Sequence, residues 1–319
     1  MKKTMISQIL SHEVFRAQPP VLVDVGASGE VHKEWAEIAP YAVCIAFDGD
    51  DRELKSIRSS SSGYRELILY HRVLSAVRGE HTDFYLTASP YCSSTLEPDQ
   101  QKLAPYNFHP FFAVEKKLQL KSVTLEEVLQ ENAIGYIDWF KTDSQGTDLR
   151  LFSSLAPEIA GNVKIAEFEP GIIDSYCGED KFHDLLSYMN GKNFFLDTLD
   201  VEPVYRLRPE TVAKYGLSPK VWRYAKQTPG WVNLTFLNNG ADWEKWSLRD
   251  ALFFMVSCLV CRQYGMALEF AAPMSERFPE EKIFERIADH ARKKLKPGFF
   301  TLCATVLCRK AARFLRNRM

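Results

Sequence analysis

No stretch of this chain reaches the roughly 20 apolar residues that a membrane-spanning helix needs. The richest candidates, Ala251–Cys261 and Phe299–Cys308, are about half that length. Met1–Leu10 carries two lysines and no apolar core of signal-peptide length before the polar Ser11-His12-Glu13. A location in the cytoplasm is therefore expected. Net charge is almost missing: 40 Lys and Arg against 41 Asp and Glu leave −1, which excludes the chain as a whole as an electrostatic partner of nucleic acid. A disulfide framework is missing too. The seven cysteines are odd in number and irregular in spacing, as reduced thiols are. Cys258-x-x-Cys261 and Cys303-x4-Cys308 lie inside apolar helical runs without turn residues, so they read as core thiols rather than a zinc site. There is no internal repeat, and Ser59–Ser62 is the single low-complexity patch.

What is present is an ordinary globular composition, 46% hydrophobic. Short apolar runs alternate with helical patterns, which predicts an α/β fold with a mostly parallel sheet covered by helices. Seven strands are expected: Val21–Val25, Ala42–Phe47, Leu67–Leu74, Tyr136–Thr142, Val163–Phe168, Phe194–Leu199 and Trp231–Leu237. Helices are expected over Val31–Ile38, over Val123–Gln130 with a Thr124/Glu127 capping box, and over Phe182–Met189 with Gly191 at its end. From Ala241 onward the pattern is helical, over Leu248–Gln263, Ala267–Phe270, Ile283–Lys293 and Thr301–Arg316. The predicted organisation is an N-terminal helical segment (1–20), a cofactor-binding domain (21–240) and a C-terminal α-helical lobe (241–319). The final 29 residues hold nine Lys or Arg and no acid. A basic amphipathic helix there would lie on an anionic membrane surface, and the alternative is a helix packed on the lobe with solvated charges.

The first strand runs into Asp24-Val25-Gly26-Ala27-Ser28-Gly29. A strand, a glycine turn and a helix set backbone N–H groups at a helix N-terminus, ready for a polar or anionic ligand. A dinucleotide fingerprint would want glycine where this chain has Ser28 and Val31. S-adenosylmethionine carries no phosphate and demands less of those positions, and Asp24 suits a ligand with an ammonium group. Asp48-Gly49 follows the second strand, 22 residues after Gly26, where an acid accepts both hydroxyls of a ribose. A tight turn with no ligand, followed by an acidic turn, is the bland alternative.

In order and spacing these segments resemble the FkbM-type S-adenosylmethionine-dependent methyltransferase family. Trp35 and Ala46–Glu53 continue the likeness. So do Ser75-Ala76-Val77 with Gly79, Phe84-Tyr85-Leu86, Thr124–Val128, Trp139–Leu149 and Glu167-Phe168-Glu169 with Tyr176, Phe182 and Phe194. The resemblance spans about residues 20–200. The chain departs from the family pattern at Glu30, at Asp48-Gly49 and at Asp148. The resemblance implies a Rossmann-like, class I methyltransferase fold. It implies S-adenosyl-L-methionine held by Asp24, Gly26, Ala27, Ser28, Gly29, Asp48, Gly49 and Ser75, and methyl transfer to a hydroxyl of a small molecule or glycan, such as a sugar of a surface polysaccharide or glycolipid.

A free alcohol is a poor nucleophile at neutral pH, so its proton must be taken by a carboxylate, a histidine or a metal-bound group. Asp143, at the end of the fourth strand and followed by Gly146, is the expected catalytic base. The alternative is a cap for the helix after Thr147. Glu167, at the end of the fifth strand, is the expected second catalytic carboxylate, with Glu169 on the same face. An Asp143–Glu167 pair would share a proton or hold Mg²⁺, of which the proton is favoured. Tyr91, Tyr106, Phe108, Phe111 and Phe112 would form an acceptor wall or else pack as core. A non-catalytic Rossmann-like binding protein of glycan assembly and a nicotinamide-dependent oxidoreductase are the competing readings.

Overall fold

The computed structural model describes residues 4–26, 33–47 and 63–296. The expectations for Ala27–Gly29, Asp48–Gly49 and the basic tail lie outside the described residues. The strands, in chain order, are β1 (Val21–Val25), β2 (Val43–Phe47), β3 (Glu66–Tyr70), β4 (Val73–Leu74), β5 (His81–Thr87), β6 (Val114–Val123), β7 (Trp139–Thr142), β8 (Ile165–Phe168), β9 (Phe194–Tyr205) and β10 (Gln227–Asn238). The main sheet has seven strands in the order β3-β2-β1-β7-β8-β10-β9. From β3 to β8 the neighbours are parallel, and β10 runs antiparallel to both β8 and β9. The fold is therefore mixed α/β on a mostly parallel sheet. β1 and β2 are buried at all five positions, as strands covered on both faces must be.

Several expected elements differ. Leu67–Leu74 is not one strand: β3 ends at Tyr70, and beyond His71-Arg72 the chain turns into β4, which pairs with β6. β4, β6 and β5 make a separate three-stranded sheet. The described part of Val31–Ile38 is a 3-10 turn at Lys33–Trp35, followed by another at Ala39–Tyr41 whose first turn holds Pro40. Proline so close to the end of the segment cuts off a longer helix. β9 and β10 are each 12 residues long, because they form a hairpin whose ladder runs past the rest of the sheet.

Each face of the sheet has its own core. Leu22, Cys44, Trp139 and Ile165 face the helices Met5–Leu10 and Leu248–Val260. Val23, Ile45, Phe140 and Phe168 face the helices Leu125–Glu131, Asp148–Ser153 and Phe182–Asn190. Leu248–Val260 starts at a Ser247/Asp250 capping box and buries ten of its thirteen residues. A helix apolar all round belongs inside a core. The C-terminal helices, continued by Tyr264–Arg277 and Ile283–Leu295, thus share one core with the sheet.

That helix is pinned by a buried ion pair. Arg249 donates through both terminal nitrogens to the Asp138 carboxylate and also to the carbonyls of Gln18 and Pro19, while Asp138 accepts the Val21 N–H at 2.8 Å. Asp138 is 1% exposed and Arg249 5%. The pair fixes the N-terminal ends of β1 and β7 and leaves their other ends to form the site. Among the described residues no helix is long and apolar enough to cross a membrane.

Candidate active site

In the sheet order β1 has β2 on one side and β7 on the other, so the chain direction of assembly reverses there. Outside the carboxyl ends of strands at such a switch point, open α/β sheets leave a crevice for ligands. The turn that follows β1 is shaped by β7. Gly26 has φ +78°, and a Cβ on it would lie 2.2 Å from the Asp143 carbonyl oxygen. Its N–H donates to Phe47 at the end of β2, and the Asp143 N–H donates to Val25. Glycine at 26 is therefore required by the approach of Asp143, whatever ligand the turn holds.

The register aligns Asp24 of β1 with Lys141 of β7, Lys141 with Glu167 of β8, and Glu167 with Thr235 of β10. Side chains at alternate positions share a face, so this transverse row lies on the side of Leu22, Trp139 and Ile165. Lys141 Nζ donates to Asp24 Oδ1 at 2.8 Å. Asp24, expected to meet a ligand ammonium, is already paired with a cation of the protein itself.

One pleat beyond the row, Asp143 and Glu169 sit at the tips of β7 and β8 and hydrogen-bond to each other. This corrects the expected Asp143–Glu167 pair. Lys141 opposite Glu167 sets the register, so the neighbour of Asp143 is two residues further on. Burial raises the pKa of Glu169, and the carboxylates of Asp143 and Asp148 raise it further. Burial also pushes Asp143 upward, against the pull of Lys141 and of the Gln145 amide. Both carboxyls are thus pushed upward, and the hydrogen bond between them shares a proton. Glu167 is raised to about 8, by burial first and by the Glu34 carboxylate second, with Lys141 opposing.

The helix-cap alternative for Asp143 does not hold: the helix begins at Asp148, after Thr147. Asp148 organises the loop instead. It accepts from the Thr142 hydroxyl at 3.0 Å, from the Ser144 N–H and hydroxyl, and from the Glu169 N–H at 2.8 Å. Burial raises it to about 6 against the Ser144 bonds. It ties the ends of β7 and β8 together.

Asp143, Glu167 and Glu169 line a cleft of about 1010 Å³ together with Arg262, from the link after the helix Leu248–Val260, and Tyr264, the first residue of the next helix. Asp197 of β9 and Glu34 add further acid to its lining. Ser75, like Asp24 and Gly26, is not among the residues that line this cleft. Its N–H bonds to Val123 in the small sheet and its hydroxyl accepts from Val77. Of the aromatic segment, Phe112 and Phe108 pack with Leu103 and Tyr176 in a small core, while Tyr91 and Phe111 are exposed. Cys258 is buried and Cys261 half-buried, both as free thiols. Among the described residues no three His, Cys, Asp or Glu side chains converge as a metal-binding group.

Sequence reasoning named Glu169 without choosing it, and Gln145 and Tyr176 only as parts of larger motifs. The structure brings all three to Asp143. No family model matches the chain, and no curated protein matches it. Among solved structures it is similar to a functionally unknown protein from Deinococcus radiodurans R1, at 12% identity and a TM-score of 0.29, over 71% of this chain and 86% of that one.

Proposed function

We propose that the protein is an S-adenosylmethionine-dependent O-methyltransferase acting on a hydroxyl of a small molecule or glycan. The observation that carries the reading is the placement of the half-buried, hydrogen-bonded Asp143–Glu169 pair at the switch point, beside the glycine turn after β1. The order of the sheet, with β10 reversed between β8 and β9, is the one a class I methyltransferase fold calls for. Charge fits as well. Among the described residues Lys141 Nζ is bonded to Asp24 rather than to Asp143 or Glu169, so the pair faces the crevice without a hydrogen-bonded cation. A sulfonium or ammonium ligand suits that field.

Gly26, with Ala27–Gly29 and Asp48 outside the described residues, would hold S-adenosylmethionine, which when bound supplies a methyl group on an electrophilic sulfonium carbon. The chain's own residues do the rest. Asp143 takes the proton from the acceptor hydroxyl as its oxygen becomes a nucleophile. Glu169, hydrogen-bonded to Asp143, shares a proton with it and holds the carboxyl in place. Arg262 and Tyr264, which line the same cleft, would hold the acceptor near Asp143. The acid-rich lining offers many acceptors for the hydroxyls of a sugar.

The test is transfer from methyl-labelled S-adenosylmethionine to a panel of free sugars, glycosides and hydroxylated small molecules. Label on a hydroxyl oxygen, lost in Asp143→Asn, is the expected result. Label on nitrogen alone, or binding of NAD in place of S-adenosylmethionine, overturns the reading.

A further inference from the structure

Two consecutive residues after Asp143 hold uncommon backbone conformations. Gln145 has φ +56° and Gly146 φ +106°. A non-glycine residue in the left-handed region is uncommon and persists only where its surroundings fix it. Here they do. The Ser94 hydroxyl donates to the Gln145 carbonyl at 2.7 Å. Gly146 is wedged so tightly that a Cβ would lie 2.9 Å from Cβ of Glu179. The strained backbone aims the Gln145 side chain between two partners. Its Nε2 donates to Asp143 Oδ1, and its Oε1 lies 2.8 Å from the Tyr176 hydroxyl.

That hydroxyl has one proton and two acceptors in reach, because the Cys92 carbonyl is 2.9 Å away. With the Gln145 amide as it stands, one of the two acceptors lacks a donor. Turning the amide half a turn about its last torsion removes the conflict. Nε2 then donates to the Tyr176 oxygen, and Tyr176 donates to Cys92. Gln145 Oε1 faces Asp143, where it is a good neighbour only if Asp143 carries a proton to donate. The torsion involved is soft and roughly two-fold, and the two ends of an amide have nearly the same shape.

We propose that Gln145 is the positioning residue of Asp143 and turns its amide over, against Tyr176, each time Asp143 gains or loses a proton. The proposal rests on the reading of Asp143 as the base. In the carboxylate state the amide donates to Asp143 and holds the free oxygen toward the acceptor. After Asp143 has taken the hydroxyl proton, the turned amide accepts from it, and Tyr176 closes the chain onto Cys92. The base is thereby satisfied in both states without water. Among the described residues, the other charged and titratable groups that face Asp143 are Asp24, Lys141, Asp148, Glu169 and the Cys92 thiol.

The two ends of the relay give opposite signatures. Gln145→Leu removes the donor to the carboxylate and raises the pH at which Asp143 ionises, by at least about tenfold in the proton equilibrium. Tyr176→Phe keeps the ring in its aromatic cluster. It strips the acid state of two hydrogen bonds and the carboxylate state of one, so Asp143 ionises at lower pH. The measurement is an infrared titration of the carboxyl stretch in the full chain without cofactor, with bands assigned by Asp143→Asn and Glu169→Gln. Opposite shifts in the two variants support the relay. Shifts of the same sign, or none in either, overturn it. In the wild type, the side-chain ¹⁵NH₂ signals of Gln145 should move with the Asp143 midpoint, and signals that stay fixed across that titration also overturn it. Because no cofactor is needed, a titrating amide in a protein that transfers no methyl group would remove the functional reading and keep the relay. Methyl transfer with a fixed amide would do the reverse.

Discussion

Lys141 and Asp24 face each other across β7 and β1, with Nζ and Oδ1 2.8 Å apart, in the transverse row that continues to Glu167. The pair is mostly buried, 20% and 9% exposed at the side chains. Removing one partner leaves the other charge uncompensated in a poor solvent. Lys141→Met should destabilise the fold by about 3 kcal/mol. The double variant with Asp24→Asn should recover part of that loss. A double-mutant cycle in urea checks it, and additive losses would show that the two charges do not interact.

The second ion pair is deeper. Arg249→Met leaves Asp138 buried with only the Val21 N–H as a named donor, and strips the carbonyls of Gln18 and Pro19 of a partner. A loss of about 3–5 kcal/mol is expected, larger than at Lys141. Equal losses in the two single variants would mean that burial does not rank them.

Glycine at 26 is a packing requirement. Gly26→Ala combines a positive φ with a contact on the Asp143 carbonyl, so it should cost about 3 kcal/mol. It should also displace Asp143, which a shifted carboxyl infrared band would report. A stable Gly26→Ala protein with an unchanged band would show that the turn has more room than the structure gives it.

Glu167 links pH to stability. Its pKa is raised from the ordinary 4.5 to about 8. Between those values the native state keeps a proton that the unfolded chain has released. The stability it contributes is full below 4.5 and is lost as pH rises through 8. Glu167→Gln, which never ionises, should flatten the decline in melting temperature between pH 5 and 9. An unchanged slope would place Glu167 in a more solvated setting.

Much of the frame was legible in the chain because burial on both faces leaves a plain mark. Val21–Val25 and the run around Cys44–Phe47 read as central strands and are so, and the Thr124/Glu127 capping box starts its helix as expected. Other features depend on relations between distant residues. The pairing of Asp143 with Glu169 follows from the β7–β8 register, and nothing local in either strand states it. The split after Tyr70 depends on β6, about 40 residues later, offering β4 an edge. The role of Gln145 needed Tyr176 and Ser94, which come from two other parts of the chain. Asp24 was legible as an acid near the end of the first strand. Its partner Lys141 lies 117 residues on.

The most direct test of the account is calorimetric titration of the full chain with S-adenosylhomocysteine and, separately, with NAD. Binding of the first and not the second is predicted, with Asp48→Ala weakening it by about 1.5–3 kcal/mol, as for loss of a hydrogen bond to a charged group. Binding of NAD alone, or of neither ligand by the folded protein, would contradict it.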